Sequence, residues 1–309
     1  MNKVVSLCCL ALLLCSKALF ADEAGWALFE RVQQSVKQYN FDSSFVVFKG
    51  SQVETFRWQH GRNGDNEIEH LVPLDADDVD ILRRNNVVYY FLTDRPALVT
   101  HSDSIKELPA ILFQPSRQIR KLYTAVLGSS TVMSGHTAQL LRLSANDAGR
   151  HSYWLWVEAE SGFPLRIDVM SEQQAPLERW LVTHMQISPE LPENLQRLLQ
   201  TELPEPAASP AVAPLPATGL QLDWLPEGFE LVENPQVLPQ LQQQLLSYWL
   251  LTDGLHQISV FVQPSQKMPT QAYRDGATTI YMLSAPQHDV TVIGPVSINV
   301  AEQLAAAVR

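Results

Sequence analysis

Apolar residues change their spacing several times along the chain, and each change marks an element. In EAGWALFERVQQSVKQY, Trp26, Phe29, Val32 and Val36 recur at intervals of three and four, which sets them on one face of a helix. After Tyr39 the period drops to two. SSFVVFKG and SQVETFRWQHGRN predict a strand pair joined near Gly50, with Val53, Phe56 and Trp58 among its larger apolar side chains. DVDILRRNNVVYYFLT predicts a second hairpin, in which Asn85 and Asn86 suit the positive-φ positions of a tight turn. PSRQIRKLYTAVLG predicts a short helix opened by Pro115 and closed by Gly128. Four more strands are expected at 130–144, with a turn near Gly135, and at 151–158, 163–170 and 177–187, where SGFP and QQAP make the turns between the last three.

The first 190 residues therefore predict one largely antiparallel sheet with two helices. A sheet of about eight or more strands must curl, and helices across its concave side bury it economically. Then the composition shifts. ELPEPAASPAVAPLPATG, residues 202–219, holds five prolines and no aromatic residue, and reads as a semi-stiff linker. Beyond it, LLSYWLLTDGLHQISVFVQ predicts a hairpin by its Asp253-Gly254 turn, TTIYMLSA and HDVTVIGPV predict further strands, and the tail from Val300 predicts a short helix. The fold class is thus α+β, with a large domain over 22–201 and a smaller α+β domain over 220–309.

Two strands break the usual alternation. In SYWLWVE, Tyr153, Leu155 and Val157 share one face while Trp154 and Trp156 share the other; in VVYYFL, Val87, Tyr89 and Phe91 oppose Val88, Tyr90 and Leu92. A sheet with one wet face alternates cleanly, so these strands should be covered on both sides. Either a helix or the second domain does the covering, or part of the inner face lines a cavity for an acyl chain.

The ends and the charge narrow the setting. In MNKVVSLCCLALLLCSKALFA, Lys3 precedes an apolar run from Val4 to Leu14, too short for a bilayer anchor, and then a more polar stretch ending in small residues; this is the layout of a secretory signal over 1–21, cut after Ala21, with Ser16 and Ala18 allowing an earlier cut. A lipoprotein reading at Cys15 meets Leu14 where a small residue belongs. Cys8, Cys9 and Cys15 all fall in this segment, so the exported chain would have no disulfide, thiolate metal site or cysteine nucleophile. Without Lys3 and Lys17, 20 basic residues face 33 acidic ones, a net charge of −13. Nucleic acid is then a poor partner and a basic peptide a better one.

Candidate chemistry is sparse. The eight histidines, from His60 to His288, never fall within four residues of one another, so no helical metal pair forms. LDADDVDI has the acids of a calcium loop but lacks its glycine and terminal glutamate. No Gly-x-Ser-x-Gly elbow, Ser-x-x-Lys pair or phosphate-cradling glycine loop occurs, and Glu158 and Glu160 flank a turn. No metal, cofactor or catalytic residue is expected. The apolar interior candidates are Phe56, Trp58, Tyr90, Trp154, Trp156 and Trp180, and the candidates for the small domain's surface or core are Tyr248, Trp249 and Phe261.

The order of these segments is itself informative. A signal peptide, an opening helix, ETFRWQHGR, VDILRRNNVVYYF, YWLWVEAESGFPLRIDVMSEQQAPLERWLV, a proline-containing linker, DWLPEGFELV and YWLLTDGLHQISVFV together resemble the RseB/MucB family over essentially the whole chain after the signal. The family consists of periplasmic negative regulators of the sigma-E (AlgU-type) envelope stress response. The resemblance implies an unclosed antiparallel β-barrel with helices on its concave side, similar to the LolA and LppX carriers. It also implies a small domain that contacts the periplasmic segment of a transmembrane anti-sigma factor of the RseA or MucA kind. Binding would shield that segment from a proteolytic cascade begun by a DegS-type protease, and lipopolysaccharide or mislocalised lipoprotein would release it. No enzymatic activity is implied. A homodimer is compatible with this reading, and a periplasmic lipid or lipoprotein carrier is the alternative.

Overall fold

The computed structural model describes residues 22–76, 79–205, 218–235, 241, 243–267 and 269–309. The signal segment and most of the proline-rich linker lie outside these residues. Helix α1, 22–38, forms where the three-and-four spacing predicts it, and Trp26, Phe29, Val32 and Val36 are all buried. Gly25 lets it approach the next layer closely: a Cβ there would lie 2.9 Å from the Ala125 carbonyl oxygen.

From Asn40 the two-residue period takes over. The strands β1 (Asn40–Lys49), β2 (Gln52–Asn63), β3 (Asn66–Pro73), β4 (Val79–Arg84), β5 (Val87–Leu92) and β6 (Leu98–His101) form one run of antiparallel neighbours. Helix α2 (Ser116–Leu122) then leads into β7 (Tyr123–Met133), β8 (His136–Ala145), β9 (Ser152–Glu158), β10 (Pro164–Met170) and β11 (Pro176–Ser188). Pairing of β1 with β11 joins the two runs into an 11-stranded sheet in the order β6-β5-β4-β3-β2-β1-β11-β10-β9-β8-β7. Its edges, β6 and β7, are not paired to each other, so the barrel is unclosed.

One core fills the concave side. It unites the apolar face of α1 with Phe41, Phe45, Val47 and Trp58 from β1 and β2, Leu155 and Val157 from β9, and Phe163 from the turn before β10. A second cluster lies on the other face, where helix α3 (Glu193–Gln200) sets Leu195 against Ile68, Leu82 and Tyr89. That helix explains the two-faced VVYYFL strand: Val88 enters the concave core while Tyr89 and Phe91 meet the α3 cluster.

The predicted helix through Gly128 ends earlier. Tyr123 adopts extended backbone at φ −135° and begins β7, because Tyr123 and Ala125 bury alternately in the core and their strand pairs with β8. Gly128, expected as a helix cap, instead lies in β7 where a Cβ would meet the Leu140 side chain at 2.7 Å.

The second sheet holds six strands, β12 (Glu230–Leu231), β13 (Ser247–Thr252), β14 (Gln257–Pro264), β15 (Gln271–Asp275), β16 (Thr278–Ser284) and β17 (His288–Gly294), in the order β12-β13-β14-β17-β16-β15. Helix α4 (Ile298–Ala306) is capped by Ser297, whose side chain accepts from Val300 N–H, and it buries Ala301, Leu304 and Ala305 against Val260, Val290 and Val292. The Asp253-Gly254 hairpin is present, but its loop spans 253–256 rather than two residues.

Phe29 is fully buried between α1 and the sheet. Replacing Phe29 by Ala should cost about 3–5 kcal/mol of folding stability, read from urea unfolding followed by tryptophan fluorescence.

Candidate functional site

The concave interior brings together four of the six aromatic candidates. Phe56 stacks on Phe45 at 5.3 Å between centroids, Trp180 lies 5.0 Å from the same ring, and Trp58 meets Phe41 edge-on at 4.8 Å. Tyr90 packs at the margin of this core and its hydroxyl donates to Glu107 at 3.2 Å; burial, aided by Glu107, pushes its pKa up to about 12.

Residues between β6 and α2 occupy the rest of the space. Ile105, Leu108, Ile111 and Leu112 are buried in the same core. The gap left among Phe45, Trp58, Leu108, Leu112, Ile167 and Trp180 is about 20 Å³, room for roughly one water molecule and not for an acyl chain.

Trp154 and Trp156 stand elsewhere. They occupy the convex face of β9, opposite Tyr153, Leu155 and Val157, and among the described residues no helix covers them. Arginines do so instead: Arg166 lies 4.1 Å over the Trp156 ring and Arg142 lies 5.9 Å over Trp154. Arg166 and Arg179 both fork onto the buried Asp168 of the same face. The interior position expected for these two tryptophans is therefore corrected, because guanidinium stacking shelters an indole without a second layer.

A charged cluster sits at one end of the interior. Glu69 is fully buried, accepting from Trp58 Nε1–H at 3.0 Å and from Arg83 Nε–H at 2.6 Å. Arg83 also bonds Glu67, which pairs with His60 at 3.2 Å. Burial pushes the Glu67 carboxyl up, but hydrogen bonds from His60 and Arg83 outweigh it and hold the pKa at about 2.

The most polar buried assembly joins the two domains. Arg150, just before β9, is 4% exposed and donates through Nε to Asp253 at 2.8 Å, through Nη2 to the Glu227 carbonyl at 2.6 Å, and to Asp147. Its guanidinium also lies over Phe229 at 5.0 Å. Gly228 makes this fit: it takes φ +74°, and a Cβ there would fall 2.9 Å from an Arg150 nitrogen.

Both oxygens of Asp253 are fully used. Oδ1 accepts from the backbone N–H groups of Leu255 and His256, at 2.9 and 2.6 Å, and Oδ2 from Arg150 and His256 Nδ1. Burial acts to raise the Asp253 pKa, yet the His256 and Arg150 hydrogen bonds hold it well below the usual carboxylate range. The chain of contacts then returns to the large domain: the Tyr153 hydroxyl lies 2.8 Å from His256 Nε2, and Tyr123 donates to the His151 carbonyl at 3.1 Å. His151 Nε2 bonds the Ala277 carbonyl at 3.0 Å while its Nδ1 is buried without a partner. Burial is the main cause that lowers the His151 pKa to about 4, reinforced by Arg274 and His256. Ser297 N–H closes the junction on the Gly149 carbonyl.

In the small domain, Tyr248 and Phe261 pair on the sheet face away from α4, with ring centroids 4.9 Å apart. Trp249 points the other way and packs against the core that α4 covers. Among the described residues no group of three or more His, Asp or Glu is placed to hold a metal ion, and no helix is long and apolar enough to cross a membrane.

The sequence matches the MucB/RseB N-terminal domain over residues 25–205 and the MucB/RseB C-terminal domain over residues 215–309. This chain belongs to the MucB/RseB family. Sigma-E factor regulatory protein RseB of Escherichia coli K12 is 24% identical over 300 residues, covering 96% of this chain and 94% of the relative. Sigma factor AlgU regulatory protein MucB of Pseudomonas aeruginosa PAO1 is 25% identical over 304 residues, covering 94% and 91%. In fold, the chain is similar to MucB in the Pseudomonas aeruginosa MucA/MucB complex, with a TM-score of 0.69 at 20% identity over 93% of this chain and 98% of that one. A second structure, MucB in complex with MucA(peri), gives a TM-score of 0.65 at 21% identity over 92% and 97%.

Within this MucB/RseB fold, the residues that sequence reasoning missed are those of the junction, Arg150, Tyr153, Asp253 and His256. The sequence shows His151 only as an isolated histidine and Asp253 only as a turn residue. Their shared role has no sequence signal, because 102 positions separate them and neither lies in a motif.

Asp253→Asn should strand the buried Arg150 and cost about 3–5 kcal/mol in urea unfolding. The junction should also respond to acid. Its folded His151 binds a proton less readily than an exposed histidine with its ordinary 6.5, so its stability is complete above about pH 6.5 and falls away as the pH drops toward 4. Glu67 adds to the loss at lower pH, since its contribution is present above 4.5 and lost toward about 2. In His151→Gln, unfolding midpoints measured from about pH 7 to 5 should be flatter than in the parent chain.

Proposed function

We propose that this chain is a periplasmic regulatory binding protein. It holds the periplasmic segment of a transmembrane anti-sigma factor of the RseA or MucA kind, shields it from regulated proteolysis and so restrains sigma-E. Acyl-bearing amphiphiles, lipopolysaccharide or mislocalised lipoprotein, release it. The observation that carries this reading is the match of both family domains along 25–205 and 215–309, with relatives whose names are sigma-factor regulatory proteins. Solved structures of MucB with MucA name the kind of partner.

The physical features fit this role. Residues 1–21 direct export, residues 22–201 form the amphiphile-responsive domain, and residues 220–309, beyond the linker, form the partner-binding one. Tyr248 and Phe261, facing away from α4, make apolar contact with the anti-sigma segment. Phe56, Trp58, Tyr90 and Trp180 meet the amphiphile once the side chains that now fill the concave interior make room for it. The two ligands then oppose each other reciprocally: whatever factor the amphiphile takes from anti-sigma affinity, the anti-sigma segment takes from amphiphile affinity. A simple lipid carrier has no use for a second domain locked to the first through Arg150 and Asp253.

Calorimetric titration with a synthetic MucA-like periplasmic segment should show sub-micromolar binding, about −8 kcal/mol or better, weakened by added lipopolysaccharide. Tyr248→Ala with Phe261→Ala should weaken it by roughly tenfold or more. Absence of binding by the parent chain would sink the proposal.

A further inference from the structure

The half-barrel interior is filled by its own chain. Residues 104–114 join no sheet ladder; their backbone bonds are local, from Leu108 N–H to Ile105, Leu112 N–H to Pro109, and Phe113 N–H and Gln114 N–H to Ala110. Four apolar side chains nevertheless reach the deepest part of the core, Ile105, Leu108, Ile111 and Leu112, each no more than 3% exposed. No ladder runs through this segment, so its buried side chains are what seat it, and displacing them would free it while the strand pairing around it stays intact.

What pins it lies at its C-terminal end. The buried Gln33 of α1 donates from Nε2 to the carbonyls of Ile111 and Gln114, at 3.2 and 2.6 Å, and Lys37 Nζ donates to Phe113 at 3.0 Å. Immediately beyond, α2 carries Gln118 against Gly254 of the small domain. Tyr123, the next residue after α2, bonds the His151 carbonyl and packs edge-on against Tyr153 at 5.8 Å. The segment and the domain junction are thus the two ends of one continuous stretch.

We infer that residues 104–114 are a tethered plug seated in an acyl-chain site, and that an acyl chain enters by expelling Leu108 and Leu112 from among Phe45, Trp58 and Trp180. Expulsion draws α2 and Tyr123 away from Tyr153 and His256 and loosens the domain junction. The inference rests on the amphiphile-released regulator proposed above and supplies its missing step, the route from the interior to the small domain. The plug competes with the ligand, so the apparent acyl affinity is the intrinsic affinity reduced by the fraction of molecules with the plug out. Weakening the pins raises that fraction and tightens binding without changing any residue that lines the site.

The test uses the full exported chain and dansylated undecanoic acid below its micellar concentration. Gln33→Ala and Lys37→Ala should bind the probe roughly tenfold more tightly than the parent, the worth of about one or two hydrogen bonds. Leu108→Ala, which shortens the plug and leaves α1 intact, should act in the same direction. Saturating probe should speed hydrogen exchange at amides 105–113 and, with them, at 151–156. Equal probe affinity in all three variants, or plug amides that stay protected at saturation, would overturn the inference. Should the plug stay protected while the probe still weakens anti-sigma binding, the inference falls and the functional reading survives. If no variant binds the probe and lipopolysaccharide leaves anti-sigma binding unchanged, both fall.

Discussion

Arg150 and Asp253 make the contact on which the two-domain arrangement depends. An ion pair taken out of water gains little unless every remaining donor and acceptor is also satisfied. Here Arg150 reaches Asp253, Asp147 and the Glu227 carbonyl, while Asp253 also ties down the 253–256 loop that presents His256 to Tyr153. Such a network tolerates few alternative geometries, whereas an apolar interface can slide. The small domain is therefore oriented by these polar groups, while Leu255 and Ala277 bury apolar surface in the large domain's core beside them.

Its neighbours on β9 divide the labour of that strand. Tyr153 belongs to the junction, Leu155 and Val157 to the concave core, and Trp154 and Trp156 to the convex face under their arginines. A movement of the strand's beginning is thus felt in the core, and a movement of the core is felt at the junction. The proposed linkage between an amphiphile in the half-barrel and a partner at the small domain would run through this strand, which touches both the concave core and the junction.

Much of the fold was legible because it is local. The period-two runs, the Ser134-Gly135 turn with φ of 52° and 83°, Asn85 at φ 54°, and the SGFP and QQAP turns all appear where the pattern places them. What the pattern missed is set by distant partners. Tyr123 leaves the helix because β8 offers it a ladder; α3 forms because β3 to β5 expose Ile68, Leu82 and Tyr89 to it. The strand pattern shows Trp154 and Trp156 sharing the second face of β9 but not what shelters that face, since the arginines over them come from neighbouring strands, Arg142 on β8 and Arg166 on β10. Of the concave core, aromatic members such as Trp58 were readable from the strand pattern, but residues 105–113 were not: IKELPAILF looks like an ordinary loop until the half-barrel gives it a core to join.

The central claim is that Arg150 holds the two domains in a single arrangement. No cysteine lies beyond residue 21, so spin labels can be attached through Val132→Cys on the large domain and Tyr273→Cys on the small one, both at exposed positions. Double electron–electron resonance should give one narrow inter-label distance in the parent chain and a broad distribution once Arg150 is replaced by Ala. An equally narrow distribution in the Arg150→Ala chain would contradict the account.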